Sequence, residues 1–345
     1  MADDQLAKRF GRYLEAHLPG AAEVTVQGLE RIHGGASRET FRCSVISLEN
    51  GRRIERALIL RRDPPSSLIE TERELEFAAY ATFQDSAVPV PKVLFLEPDC
   101  RWLERPFFVM ELVPGVAANP FAPDPYGAST ERIGEQFWRT LGRIAAKDPR
   151  GTPVVTRVRP VQPEECSQRE LEHWEGVIDE DELEPQPIAR AAIRWLRRNP
   201  PPPPSRLAIV HGDYRSGNFL FDDRGEIRAI LDWEMCHIGD PLEDVGWACD
   251  PLWGGMSPER PGQMIPKDRG LEIWQAESGR AIDPQALRWW EIFSHVKGLA
   301  IWISSAKEYA AGSNHDPVLL LSSWLCTTRH NRILSERLRR LRCES

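Results

Sequence analysis

Three oxygen-bearing side chains flank a short predicted β-hairpin, and their spacing constrains the fold more than any other feature of the sequence. Asn218 follows Asp213 by five residues, and Asp232 comes fourteen residues after that. Between the last two, residues 219–221 and 227–231 have the composition of strands and enclose a polar turn. Pairing of these strands would return Asp232 to the end of the hairpin where Asn218 lies, with both side chains on one face.

These residue types suit phosphoryl transfer, in which a protein mainly positions groups and neutralises charge. Asp213 is the candidate catalytic base, because a carboxylate at this position can take the proton of an attacking hydroxyl. Asn218 and Asp232 are the candidate ligands of one Mg²⁺, a hard cation that prefers oxygen. We expect His211, in the same loop, to support the loop rather than to transfer protons.

The motif H-G-D-x4-N at residues 211–218, followed by I-L-D at 230–232, resembles the catalytic signature of aminoglycoside phosphotransferases and related small-molecule kinases. Residues 239–244 are similar to the segment that follows in that family. The resemblance implies an α+β, two-lobed protein-kinase-like fold. Residues 1–112 would form a small β-rich nucleotide-binding lobe, and residues 113–345 a larger, mainly helical lobe for catalysis and substrate binding. The resemblance also implies Mg²⁺-dependent transfer of the γ-phosphate of ATP to a hydroxyl of a small molecule. GTP stays open as the phosphate donor.

A turn of small residues lies between two predicted strands of the first lobe. Gly34, Gly35 and Ser37 are its candidate phosphate-binding residues, because such a turn lets backbone N–H groups approach phosphate oxygens. The alternative is an ordinary hairpin turn, which uses the same residues.

The next strand, residues 57–60, ends in Arg61 and Arg62. Kinase-like folds usually place a lysine there, which contacts the α- and β-phosphates and pairs with a helical glutamate. This strand has no lysine, and the resemblance gives its place to Arg61. We expect Glu74, in a helix predicted over residues 69–83, to pair with Arg61, and Glu76 to be a surface charge. The alternative is that both arginines form a solvated strand end.

Residues 107–115 predict a buried strand that runs into a breaker, which resembles the hinge between kinase lobes. In that resemblance Met110, Glu111 and Val113 are the adenine-contacting residues, the last two through backbone groups. Met110 fits an ordinary core position equally well.

Two features of the second lobe bear on the acceptor. Eight carboxylates lie within residues 168–184, and they either attract a cationic substrate or form a solvated helix. Only seven residues separate Asp232 from Asp240, which leaves no room for the long segment on which protein kinases dock peptides.

Asp240 and Glu243 predict a capped helix start. Helices are also expected over 267–278, 284–310 and 317–340, the middle one with an apolar edge that could face a substrate.

Charge, hydropathy and cysteine content narrow the possible partners and the cellular compartment of the protein. The net charge of −8 argues against a nucleic-acid partner, and no apolar run reaches the length of a membrane span. Seven scattered cysteines without a C-x-x-C pair and an N-terminus without signal-peptide order predict a cytoplasmic protein with reduced thiols. The oligomeric state is left open.

The acceptor and the activity itself have alternatives. The family supplies aminoglycosides as acceptors, whereas residues 34–40 and 60–62 look closer to the kinase domain fused to certain acyl-CoA dehydrogenases, which implies hydroxyacyl-CoA thioesters. A non-catalytic nucleotide-binding protein is the alternative of another class, because the usual lysine is missing.

Overall fold

The computed structural model describes residues 2–32, 38–63, 73–120, 122–255, 257–312 and 317–344. Within them the chain forms two compact units, Met1–Pro114 and Gly115–Ser345. No helix of the described ranges is long and apolar enough to cross a membrane.

The first unit is built on an antiparallel five-stranded sheet. Its elements in chain order are α1 (Ala2–His17), β1 (Ala21–Ile32), β2 (Glu39–Glu49), β3 (Arg52–Arg62), α2 (Arg73–Phe83), β4 (Val93–Glu97), the short α3 (Cys100–Leu103) and β5 (Phe107–Glu111). The strand order is β1-β2-β3-β5-β4. Because β3 pairs with both β2 and β5, it lies at the centre of the sheet, and Arg61 is two residues beyond the core residue Ile59.

Alternation along β2 and the apolar stripe of α1 form the core of this unit. Phe41, Cys43 and Val45 point inward from β2, as period-two side chains should. Phe10 and Leu14 of α1 are fully buried against the same cluster. Helix α1 therefore covers one face of the sheet.

The second unit is mainly helical and contains two small sheets. Its elements are β6 (Val116–Ala117), α4 (Thr130–Ala146), α5 (Cys166–Asp181), α6 (Pro187–Arg198), β7 (Ala208–Val210), β8 (Phe219–Phe221), β9 (Ile227–Ile230), β10 (His237–Gly239), α7 (Leu242–Ala248), α8 (Lys267–Ser278), α9 (Pro284–Ala310) and α10 (Pro317–Glu344). The strands form the sheets β6-β8-β9 and β7-β10.

Helix α9 is the centre of the second unit. Trp289, Trp290 and Phe293 are at most 2 % exposed. These rings are core residues, and an apolar edge of α9 that faces a substrate stays a prediction. A sheet-rich unit followed by a helical unit agrees with the expected α+β class.

Candidate active site

The predicted hairpin forms and places the ends of its strands together. Phe219 of β8 pairs with Ile230 of β9. One step further, the Leu231 N–H donates to the Asn218 carbonyl oxygen over 2.8 Å. Asp232 therefore follows directly after the residue that pairs with Asn218.

The carboxylate of Asp213 is held at both oxygens. The Asn218 amide Nδ2 donates to Oδ2 over 2.6 Å. Arg215 Nε and Trp247 Nε1 donate to Oδ1 over 3.0 and 2.7 Å. These three donors from the loop and from α7 fix the orientation of the carboxylate.

The residues predicted to bind metal fit a hard cation. Asn218 Nδ2 donates to the carbonyl and the carboxylate of Asp213, so the amide oxygen is the atom that it can offer to a cation. Asp232 adopts a left-handed conformation, with φ 59° and ψ 58°. Such strain in a non-glycine residue concentrates at functional sites. An amide oxygen and a carboxylate are ligands that Mg²⁺ accepts.

His211 supports the loop, as expected. Its Nδ1 accepts the Asp213 backbone N–H over 3.1 Å, and its Nε2 lies 2.9 Å from the Leu231 carbonyl oxygen, to which it donates. Complete burial lowers the pKa of His211 to about 4. The ring is thus neutral near pH 7 and ties the catalytic loop to the end of the hairpin.

Two further residues fix the same loop from the helical core. The Asp244 carboxylate accepts the N–H groups of His211 and Gly212 over 2.7 and 2.9 Å. The Lys297 ammonium donates to the Gly212 carbonyl over 2.6 Å. Gly212 itself has φ +86°, and a Cβ there would lie 2.3 Å from the Met235 carbonyl oxygen. Only glycine fits this point of the loop.

Glu243 corrects one prediction. We expected its side chain to complete a capping box with Asp240, but it is buried and accepts from Lys297 and His237 over 2.8 and 3.0 Å. Asp240 does cap, because its Oδ1 accepts the Leu242 N–H over 2.9 Å. Burial opposes the charged form of His237, yet the Glu243 and Glu170 carboxylates outweigh it and raise its pKa to about 9. Glu243 thus belongs to a buried ionic network with His237 and Lys297, and Lys297 also contacts the loop.

The structure describes only some of the residues that we predicted to bind nucleotide in the first unit. Gly34, Gly35 and Ser37 lie outside the described residues. Arg61 is 5 % exposed and therefore not a solvated strand end. Its NH1 lies 2.6 Å from Glu76 Oε1.

Glu76 is thus a partner of Arg61, and the expectation that Glu76 is a surface charge was wrong. Residues two apart are about 200° apart around a helix. Glu76 follows the buried face of α2 with Ala79, Tyr80 and Phe83, whereas Glu74 is half-buried. A role for Glu74 beside Arg61 stays a prediction.

Glu76 also binds a second arginine. Arg38 Nε donates to Glu76 Oε2 over 2.8 Å, and Arg38 NH1 lies 2.6 Å from Asp63 Oδ1. Asp63 in turn pairs with Arg73. Arg38, Arg61 and Arg73 thus share the carboxylates of Glu76 and Asp63 in one ionic network.

Met110 and Glu111, two of the predicted hinge residues, are the last residues of β5. Met110 is 5 % exposed and pairs with Ile59 across the strands. The Glu111 N–H donates to the Lys92 carbonyl over 2.9 Å, so that N–H already has a partner. Contacts of Met110, Glu111 and Val113 with a base stay a prediction.

Several carboxylates of the acidic segment have cationic partners within the second unit. Glu175 pairs with Arg197, Asp179 with Arg190, and Asp181 with Lys307. This pairing favours the solvated-helix interpretation over an acidic face that attracts a polycation.

Comparisons with known proteins agree with this geometry. A family model described as "Phosphotransferase enzyme family" matches residues 28–290. Mouse acyl-CoA dehydrogenase family member 10 is 30% identical over 202 residues, which are 57% of this chain and 18% of the relative. Mouse acyl-CoA dehydrogenase family member 11 is 26% identical over 317 residues, 88% of this chain and 39% of the relative. The chain therefore spans well under half of the length of these relatives.

A solved structure confirms the fold. A putative aminoglycoside phosphotransferase from Ralstonia eutropha superimposes with a TM-score of 0.74 at 20% identity, over 96% of this chain and 98% of that one. The kinase-like α+β fold that the sequence predicted is thus confirmed.

Proposed function

Because the chain belongs to the phosphotransferase enzyme family, we propose that it transfers the γ-phosphate of ATP to a hydroxyl group of a small molecule, with Mg²⁺ as cofactor. The observation that carries this proposal is the Asp213 carboxylate, which three donors hold in one orientation beside Asn218. Phosphoryl transfer needs this positioning more than it needs covalent chemistry by the protein.

Each group has a defined task in the proposed reaction. Asp213 aligns the acceptor hydroxyl and accepts its proton as the oxygen attacks the γ-phosphorus, while the bond from that phosphorus to the β–γ bridging oxygen breaks and ADP leaves. Asn218 and Asp232 would hold Mg²⁺, which would neutralise charge on the phosphates. Arg61 supplies a further positive charge toward the phosphates. A carboxylate partner for Arg61 supports this role, because the usual lysine is also held by a helical glutamate.

For the acceptor we favour a hydroxyacyl-CoA thioester. The support is the similarity to two members of the acyl-CoA dehydrogenase family, together with the paired carboxylates of α5. A polycationic aminoglycoside would need unpaired acidic groups for recognition.

A phosphorylation screen tests both levels of the proposal. Purified protein with ATP and Mg²⁺ is offered hydroxyacyl-CoAs, the matching free hydroxyacids, aminoglycosides and ethanolamine, and ADP release and phosphorylated product are measured. We expect turnover with hydroxyacyl-CoAs, and none in an Asp213→Asn control. Turnover only with aminoglycosides would overturn the acceptor but leave the kinase activity intact.

The alternative of a non-catalytic nucleotide-binding protein has its own signature. Calorimetric titration with ATP and Mg²⁺ would then show tight binding, while every hydroxyl compound in the screen, and water, fails to give ADP. That result would overturn the proposed activity as a whole.

A further inference from the structure

A buried cluster of three metal-ligating side chains lies outside the site described above. Asp250 follows the end of α7, His295 lies in α9, and His330 lies in α10. Their side chains are at most 1 % exposed. Three distant parts of the second unit therefore bring one carboxylate and two imidazoles to a single point in the core.

The distances within the cluster match those between ligands of one metal ion. Asp250 Oδ2 lies 2.9 Å from His295 Nδ1 and 3.6 Å from His330 Nδ1. The two Nδ1 atoms are 3.2 Å apart. A tetrahedral ion with bonds of about 2.0–2.1 Å holds its ligand atoms roughly 3.3–3.4 Å from one another. The three measured separations bracket that value, so the atoms form one face of such a tetrahedron.

We infer that Asp250, His295 and His330 bind one divalent transition-metal ion of zinc-like chemistry. Two imidazole nitrogens and a carboxylate oxygen suit zinc, whereas Mg²⁺ prefers oxygen alone. The other oxygen of Asp250 accepts the Leu252 N–H over 2.8 Å, which turns Oδ2 toward the histidines. No fourth His, Cys, Asp or Glu of the described residues joins the group, which leaves the last position to water.

The surroundings of the rings set the expected strength of binding. Neither Nε2 atom has a hydrogen-bond partner among the described residues. Without an ion, Asp250 Oδ2 can accept a proton held on His295 Nδ1, so binding of the ion would displace that proton and make metal affinity rise with pH. Metal-binding histidines usually donate their second N–H, and loss of such a partner costs about 10–100-fold in affinity. We therefore expect a weaker site than in a zinc finger.

The ion would fix the end of the helix that serves the catalytic loop. Trp247, three residues before Asp250, donates to Asp213, and Asp244 holds the loop backbone. Binding would join the end of α7 to α9 and α10 and stabilise the second unit. The inference does not depend on the proposed function, because it concerns metal content and stability.

Direct binding to the parent protein is the primary test. Untagged protein is stripped with chelator, and ZnCl₂ is titrated by calorimetry in excess Mg²⁺, with metal content measured by mass spectrometry. We expect one zinc per chain, also in Asp232→Ala, and a rise in Tm of roughly 5 °C at a free zinc concentration about a hundredfold above its Kd. A parent protein that takes up no zinc would overturn the inference whatever the variants do.

Variants then assign the ligands. His295→Gln and His330→Gln should each lose stoichiometric zinc and the zinc-dependent rise in Tm, and the control His173→Gln should keep both. Co²⁺ in the parent should give the intense visible absorption of a tetrahedral site. Zinc retained by both variants, or octahedral Co²⁺ spectra, would place the metal elsewhere.

Discussion

At the scale of single residues, the arrangement around Asp213 explains how a common amino acid becomes a candidate base. Its two oxygens accept from an amide, a guanidinium and an indole N–H, so the carboxylate cannot rotate freely. The donors come from its own loop and from α7. The geometry therefore depends on the fold as well as on the motif.

Replacement of Asp213 by asparagine should lower kcat by on the order of 10²-fold or more, because the amide cannot accept the hydroxyl proton. The Kd for ATP should change little. Steady-state kinetics and calorimetry measure the two quantities. The matched control is Asp223→Asn in the exposed turn between β8 and β9, which should behave like the parent. An unchanged kcat in Asp213→Asn would remove Asp213 from the catalytic role.

Arg61 and Arg62 form a natural pair for comparison, because successive strand residues point to opposite faces. Arg61→Ala should raise the KM for ATP and lower kcat, since it removes the proposed phosphate contact. Arg61→Lys should retain part of the activity, because the charge survives. Arg62 binds Glu39 over 2.7 Å, so Arg62→Ala should reduce stability with little kinetic effect. An inactive Arg62 variant beside a fully active Arg61 variant would contradict this assignment.

At the scale of secondary structure, α7 organises the catalytic loop. Glu243, Asp244 and Trp247 of this helix are all buried, and Trp247 lies one turn after the other two. Asp244 binds the loop backbone, Trp247 binds the Asp213 carboxylate, and Glu243 binds Lys297. A helix of seven residues thus links the loop to α9.

Trp247→Phe should separate the effect of the hydrogen bond from Trp247 Nε1 to Asp213 from the effect of packing by the ring. The benzyl ring fills most of the same space, but Asp213 Oδ1 loses the indole N–H. A hydrogen bond to a charged group contributes about 1.5–3 kcal/mol, so we expect kcat to fall about 10–100-fold with the KM for ATP nearly unchanged. Trp274→Phe is the control, because its ring is buried and its Nε1 has no hydrogen-bond partner among the described residues. Equal losses in both variants would point to packing alone.

The elements were predictable where the signal is local. The hairpin and the long C-terminal helices follow from period and turn residues, which depend on neighbours in sequence. Lys297 and Glu243 gave no such signal, because their 2.8 Å contact joins residues far apart in the chain. Glu76 was misassigned for the same reason, since a charged residue in a helix looks exposed until its arginine partners are known.

At the scale of the whole molecule, ionic groups are buried in both units. Arg38, Arg61 and Glu76 form one such group in the first unit, and Lys297, Glu243 and His237 form another in the second. Removal of one partner from a buried pair commonly costs about 3–5 kcal/mol, because the other charge stays behind. We therefore expect Glu76→Gln to lower the free energy of unfolding by a similar amount, while Glu30→Gln, in an exposed ion pair with Arg42, should cost much less in the same denaturant titration.

The second group makes stability depend on pH. The pKa of His237 is about 9 in the folded protein, because the carboxylates of Glu243 and Glu170 outweigh the effect of burial, and near 6.5 in an unfolded chain. Below pH 6.5 both states carry the proton, and the ion pairs contribute fully. Between pH 6.5 and 9 the unfolded chain has lost its proton, so each rise in pH removes part of that stability, about 3 kcal/mol at most by pH 9.

Denaturant titrations of the parent should therefore show a free energy of unfolding that declines from pH 6.5 toward pH 9. His237→Gln should be less stable at pH 6 and should lose most of this decline, so that the two proteins converge as the pH rises. His173→Gln is the control and should decline like the parent, because desolvation lowers the pKa of His173, so its linkage to folding is complete near pH 6.5 and adds no slope above it. Buried thiols add their own loss of stability only near pH 9 and above, since burial raises the pKa of Cys236 and Cys249. The difference between parent and variant from pH 6.5 to 8 isolates His237, and a decline that persists undiminished in His237→Gln would show that another group controls it.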